Sequence, residues 1–239
     1  MYPAHRKSVL TEIRARLKLG LPCRVVSTSL IEAGVDVDFP AVFREEAGLD
    51  SILQAAGRCN REGKRSAIES IVTIFQSETP PPSLFEIPVA AGRQALNQYD
   101  QPDSPEAIRC YFQELLDLKG PEALDQKNIL TLMERDYMPF RKIAERFHLI
   151  DSETRTVYIP LEEGEELVQR LRSGEHNRAL FRALGQYGVS IYPQHFEALD
   201  LAGDLEILES GAAVLTNLTL YDSTMGLSPT ADSGKALFI

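Results

Sequence analysis

Apolar residues fall at helical spacing in HRKSVLTEIRARLK (5–18), where Val9, Leu10, Ile13 and Leu17 share one stripe. This predicts an amphipathic helix that Gly20 ends. CRVVSTS (23–29) reads as a buried strand bounded by Pro22, LIEAG as a short helix, and VDVDFPAVFRE as a further strand-like segment. A helix over 49–62 and a strand over IESIVTIFQ (68–76) follow. Strand, helix, strand, helix, strand at this spacing predicts a parallel sheet with crossover helices, and places chemistry at the carboxyl ends of the strands.

From 77 the pattern changes. SETPPPSLFEIPV and NQYDQPDSPEA are rich in Pro, Ser and Asp, and read as a linker or an extended wrapping strand. Ser104-Pro105-Glu106 is a helix start, with apolar residues at helical spacing over 105–118 and a second helical stretch near 126–147. TVYIPL, the acidic LEEGEELVQRLRSG, VSIYPQHFEAL and a hairpin turning near Glu209–Gly211 complete the pattern. The expected class is α/β: a partial parallel-sheet domain over 1–76, a linker over 77–105 and a smaller α+β domain over 106–239.

Charge sharpens this division. The 239 residues carry a net charge of −10, yet residues 1–65 hold 11 basic against 8 acidic side chains, leaving −13 for the remainder. An acidic whole argues against a general nucleic-acid coat but leaves room for a local basic track. No run approaches the roughly 18 apolar residues of a membrane span, and MYPAHRKSVL has no signal-peptide core. The expected location is the cytoplasm, with no membrane partner. Cys23, Cys59 and Cys110 form no C-x-x-C pair, and His5, His148, His176 and His195 stand alone, so no metal site is expected. Glu162–Glu166 reads as a solvated helix start. Tyr187, Tyr192 and Phe196 read as core residues ahead of base-stacking ones.

Two stretches carry candidate chemistry. In VVSTSLIEAGVDVDFP (25–40), Ser29-x-x-Glu32 fits a capping box, which would start a helix at Ser29 and turn its N–H groups toward a phosphate. Gly34 would end that helix with positive φ and send Asp36 and Asp38 back to the sheet edge. A plain strand–turn–helix junction explains the stretch equally well. In QAAGRCNREGK (54–64), a helix capped by Asp50 or Ser51 and ended by Gly63 would put Gln54, Arg58 and Arg61 on one face. A guanidinium fork there matches phosphate oxygens in two-point contact.

STSLIEAGVDVDFP resembles motif V of superfamily 2 helicases, and QAAGRCNREGK resembles motif VI, Q-x-x-G-R-x-x-R. With AGLDSILQAAGRCNREG and the late YPQHFEAL…LTNLTLYD, the wording is similar to CRISPR-associated protein three, the helicase-nuclease of type I CRISPR systems. The resemblance covers nearly the whole chain and implies part of its second RecA-like domain followed by its C-terminal domain. It implies Thr28 near a single-stranded DNA backbone, Gly34 and Asp36 near the nucleotide, Gln54 by the γ-phosphate, and Arg58 and Arg61 as arginine fingers. It further implies ATP and magnesium as cofactors of the full-length protein, with none bound by this chain alone. The implied partners are single-stranded DNA, a guide-RNA surveillance complex, and N-terminal nuclease and first RecA-like domains.

The phosphate loop G-x-x-x-x-G-K-[ST], the DExH acids and an HD pair are absent from the chain, and the sheet domain opens on a helix as though cut. The expectation is a C-terminal portion that is inactive alone. A non-enzymatic partner-binding fragment of the same helicase, and a portion of another superfamily 2 DNA or RNA helicase, are the alternatives.

Overall fold

The computed structural model describes residues 1–120, 123, 125–134, 137–147 and 153–228. They fall into two compact units, one within Met1–Glu12 and Ile150–Ile239, the other within Ile13–Leu149. Helix α1 (Pro3–Lys18) gives its first residues to the former and its later ones to the latter. His148 lies outside the described residues.

The second unit is built on a β-α-β crossover. Strand β1 (Val42–Glu45) is followed by α2 (Leu49–Ala56) and pairs in parallel with β2 (Val72–Phe75), Val42 opposite Val72 and Glu45 opposite Phe75. The parallel layer expected from the alternating pattern is thus present as a two-stranded core. The strand expected over 23–29 is not formed. That segment is irregular and largely exposed, with Val26 at 103% of its reference surface. Its apolar residues have no neighbouring strand to pair with, and β-propensity needs a partner ladder to take effect.

Residues expected as a linker form α3 (Ser83–Gln98). The Pro80–Pro82 run stops just before this helix, and Pro88 alone interrupts it, while Val89, Ala91, Gly92 and Ala95 make a buried face at helical spacing. α3 packs on α4 (Pro105–Lys119) and on α2 through Leu49, Ala91, Ala95, Ala107 and Tyr111. The approach is tight: a Cβ on Gly92 would stand 2.7 Å from the Ala47 carbonyl oxygen. α4 begins as expected, the Ser104 hydroxyl accepting from the Ala107 N–H at 3.2 Å. The stretch near 126–147 is two short helices, α5 (Ile129–Met133) and α6 (Phe140–Arg146), with Pro139 immediately before the second.

The other unit is α+β. Strands β3 (Arg155–Tyr158), β4 (Gly188–Ile191), β5 (Leu205–Ile207) and β6 (Ala213–Leu215) form a sheet ordered β4-β3-β6-β5. β3 runs antiparallel to β4 and parallel to β6. β5 and β6 form the expected hairpin, with Gly211 at φ +77° in its turn. Helices α7 (Glu163–Arg172), α8 (Arg178–Leu184) and α9 (Pro193–Leu201) cover the sheet, and a small ribbon, β7 (Tyr221–Asp222) and β8 (Gly226–Leu227), ends the described chain. Glu162, Glu163, Glu165 and Glu166 are solvated at the start of α7. Tyr187 and Phe196 are buried in the core and Tyr192 is exposed.

Tyr2 joins this core, its ring stacked on Tyr221 with centroids 5.1 Å apart. Burial, then the nearby Glu162 carboxylate, pushes its phenol up to about 12. Because the folded value lies above the ordinary one, Tyr2 contributes stability that is intact below pH 10 and lost as pH rises through about 12. Alkaline denaturation followed by circular dichroism is expected to show this loss, and Tyr2→Phe to move the transition to higher pH. A transition unmoved by Tyr2→Phe would assign the alkaline loss to other groups.

Candidate nucleotide-facing site

The site elements come from two short segments of the Ile13–Leu149 unit, Thr28–Asp38 and Arg58–Arg65. The first departs from the expected capped helix. Ser29–Ile31 make a single 3₁₀ turn whose N-cap is Thr28, with no side-chain cap bond. So short a turn has little dipole to offer a phosphate. Gly34 does take positive φ, +71°.

Glu32, expected to close the capping box, has a different task. It is 7% exposed, its Oε1 lies 3.0 Å from Arg44 Nε, and its Oε2 accepts from the Ser51 hydroxyl at 2.7 Å. A carboxylate so far from water needs such partners, and they tie the loop to β1 and α2 at once. The capping box of this unit lies at Ser66 and Glu69 instead.

The second segment also departs from expectation. α2 does not run to residue 62 but ends at Ala56, with Gly57 as C-cap. Its N-cap is Gly48, without a side-chain bond. Asp50 instead accepts from the Tyr111 hydroxyl at 2.7 Å, and Ser51 serves Glu32. Past Gly57 the chain is taken over by Phe39: the Phe39 N–H donates to the Arg58 carbonyl and the Asn60 N–H to the Phe39 carbonyl, both at 2.9 Å. Asn60 then enters the left-handed region at φ +46°, and its side chain brackets Arg65, accepting from the Arg65 N–H and donating to its carbonyl. Asn tolerates that conformation better than most residues, and Gly63, at φ +64°, completes the turn.

Gln54, Arg58 and Arg61 therefore do not share one helix face. Gln54 is exposed on α2, while both arginines sit in the turn beyond it. The turn nevertheless brings the two segments together. Arg58 donates from both terminal nitrogens, to the Val35 and Glu32 carbonyls, each at 2.6 Å. Arg61 Nε lies 3.1 Å from Asp36 Oδ1, and Arg65 donates to Asp38 Oδ2 at 3.0 Å. Arg14 from α1 adds a bond to the Asp36 carbonyl at 2.9 Å. Three arginines spaced over eight residues thus clasp the loop 32–38.

These pairs differ in burial, and burial separates their roles. Arg58 is partly enclosed and satisfies backbone carbonyls, which makes it a structural clamp. The Arg61 side chain is 43% exposed and its partner Asp36 80% exposed, so water screens the pair and it opens at little cost. Thr28 and Gly34 are exposed along the same loop. Cys59 beside them is not an activated thiol: burial and then the Asp38 carboxylate push it up. Arg14, Arg44 and Arg65 went unsuspected in the sequence, where no local pattern separates them from ordinary surface charges, and Glu32 was singled out there only as a cap.

The site thus rests on a parallel β-α-β layer with an arginine-clasped loop beside it. Residues 2–64 match the family described as CRISPR-associated nuclease/helicase Cas3, C-terminal. Over 41 residues, 17% of this chain, the sequence is 61% identical to the CRISPR-associated nuclease/helicase Cas3 of Haloferax volcanii, of which the match covers 4%. The crystal structure of T. fusca Cas3-AMPPNP is similar over 95% of this chain and 34% of that one, with a TM-score of 0.53 at 14% identity. The chain is thus similar to a C-terminal portion of Cas3 and spans about a third of that solved relative.

Proposed function

We propose that this chain works as the C-terminal portion of an ATP-dependent single-stranded DNA translocase and nuclease of type I CRISPR interference. The observation that carries the reading is the clasp: residues 58–65 hold the loop 32–38 by Arg58, Arg61 and Arg65, all from one turn. Of the three, Arg61 is the most exposed and pairs with an exposed acid, so it can meet an anion arriving from outside the unit.

In this reading Arg61 leaves Asp36 and meets the transferring phosphate of ATP, where charge builds in the transition state. Arg58 contributes to turnover by holding the loop that carries Gly34 and Asp36, and Asp36, once released, faces the ribose. Gln54 and Thr28 lie toward the γ-phosphate and the DNA backbone respectively. Arg61 fits an anionic ligand because it is accessible and loosely held. Magnesium and the remaining phosphate contacts belong to a first RecA-like lobe supplied by the parent protein, and recruitment belongs to a guide-RNA surveillance complex.

The test compares ATP hydrolysis by the purified chain with that of the complete parent protein, each with single-stranded DNA, duplex DNA or RNA. Stimulation by single-stranded DNA in the parent and negligible turnover by the chain alone are expected. Turnover by the chain alone that survives Arg61→Ala, or stimulation of the parent by RNA only, would overturn the proposal.

A further inference from the structure

A cavity of about 290 Å³ lies in the α+β unit, far in sequence from the arginine clasp, lined by Arg155, Thr156, Tyr158, Phe181, Phe196 and the turn Ser210–Ala213. Its position follows from the sheet. β3 pairs with β6 only from Val157 and Tyr158, opposite Ala213 and Val214. Arg155 and Thr156 extend beyond that ladder and pair with β4 alone, opposite Ile191 and Ser190. Among the described residues no strand pairs with them on the β6 side. An antiparallel ladder uses the N–H and C=O of alternate residues, so one of these two turns its backbone groups toward the open side.

Successive strand residues face opposite sides of a sheet. Arg155 stands over Phe196 on one side and Tyr158 packs with the helical cluster on the other, yet both line the cavity. The cavity therefore lies at the end of the β3–β6 ladder, between the start of β3 and the hairpin turn Ser210–Ala212 that leads into β6. An extended backbone fits such a gap by strand addition.

The side chains state what that backbone should carry. The Arg155 guanidinium carbon sits 3.4 Å from the centroid of the Phe196 ring, which is itself 1% exposed. The ring fixes the cation from beneath, and among the described residues no carboxylate pairs with Arg155. Thr156, Tyr158 and Ser210 are also among the lining residues. A nucleic-acid backbone is a poor match: one guanidinium replaces the row of cations that binding to successive phosphates uses, and residues 151–239 hold 6 basic against 14 acidic side chains. A single carboxylate fits both the one fork and the residue-sized cavity.

We infer that this gap takes an extended peptide segment of a protein partner, paired to the backbone of Arg155 and Thr156, with its carboxylate on the Arg155 guanidinium. The test titrates the unaltered chain with N-acetyl-Val-Thr-Val bearing a free carboxylate, with its carboxamide, with acetate, with inorganic phosphate and with a dT oligonucleotide. Amide chemical shifts of Arg155, Thr156 and Gly211 report binding. Saturable shifts with the carboxylate peptide, at least about tenfold tighter than with the carboxamide or acetate, are expected, since losing a charge-assisted fork contact costs of that order. Arg155→Gln should weaken the peptide by a similar factor, and Arg155→Lys less. Equal binding of carboxylate and carboxamide, acetate as tight as the peptide, tighter binding of phosphate or oligonucleotide, or no saturation by the peptide would each overturn the inference. The carboxamide comparison decides the matter even if Arg155→Gln loses its stack on Phe196 and unfolds.

Discussion

Arg61→Ala in the complete parent protein is expected to lower DNA-stimulated ATP turnover by about a thousandfold while leaving the melting temperature almost unchanged. The size follows from the charge on a transferring phosphoryl group, where an added guanidinium typically contributes a factor of about 10³ or more. The lack of a stability effect follows from the structure. Arg61 pairs with Asp36, a highly exposed carboxylate, and such a pair contributes about 0–1 kcal/mol. Arg61→Lys should recover little, because an ammonium lacks the planar fork. The measurement is steady-state hydrolysis beside thermal denaturation of the same samples. Turnover within a few-fold of the parent would remove Arg61 from the phosphate site.

Arg58→Ala is expected to act through the fold instead. Both terminal nitrogens of Arg58 are spent on the Glu32 and Val35 carbonyls at 2.6 Å. Charged hydrogen bonds of this kind contribute about 1.5–3 kcal/mol each, discounted here because the group is only partly enclosed. A loss of about 3 kcal/mol from the Ile13–Leu149 unit is expected in urea unfolding, with faster proteolysis between residues 29 and 40. Arg58→Lys should remain well below the parent, since one ammonium does not span two carbonyls. ATP turnover in the parent should fall as well, because the loop carrying Asp36 loses its clamp. Unchanged unfolding and proteolysis would mean that the clasp does not hold the loop.

The two variants separate what the shared motif joins. The spacing of Arg58 and Arg61 predicts one shared helix face, and the resemblance to motif VI implies two arginine fingers. Instead, one is drawn inward by carbonyls and the other is left on an exposed acid. A sequence offers no means of seeing this, because the carbonyls that accept from Arg58 belong to residues 23 and 26 positions earlier. The same holds for Glu32, whose i, i+3 relation to Ser29 resembles a cap until Arg44 and Ser51 are brought to it through space.

Signals that act within a few residues were legible. The stripe of α1, the Ser104 cap of α4, the acidic start of α7 and the β5–β6 hairpin all depend on local spacing and local hydrogen bonds, and all are present. The similarity of this region to the Cas3 C-terminal family was legible for a related reason: a loop and turn that must meet one another constrain side chains at set intervals. Segments whose state depends on distant neighbours were not legible. The 23–29 stretch has strand residues but no strand beside it, and 83–98 has a helical face that a count of prolines concealed.

By itself, the amino-acid order determined the class of fold and the Ser104-capped start of α4, and it singled out the two segments that the arginine clasp joins. Tertiary structure alone decided where α2 stops, which arginine is committed to carbonyls and which stays free to move, and that β3 overruns β6 to leave a gap beside Arg155. The reason is physical. Local propensity is settled by neighbours along the chain, whereas the satisfaction of a buried charge or an unpaired strand edge is settled by whichever groups folding carries to it.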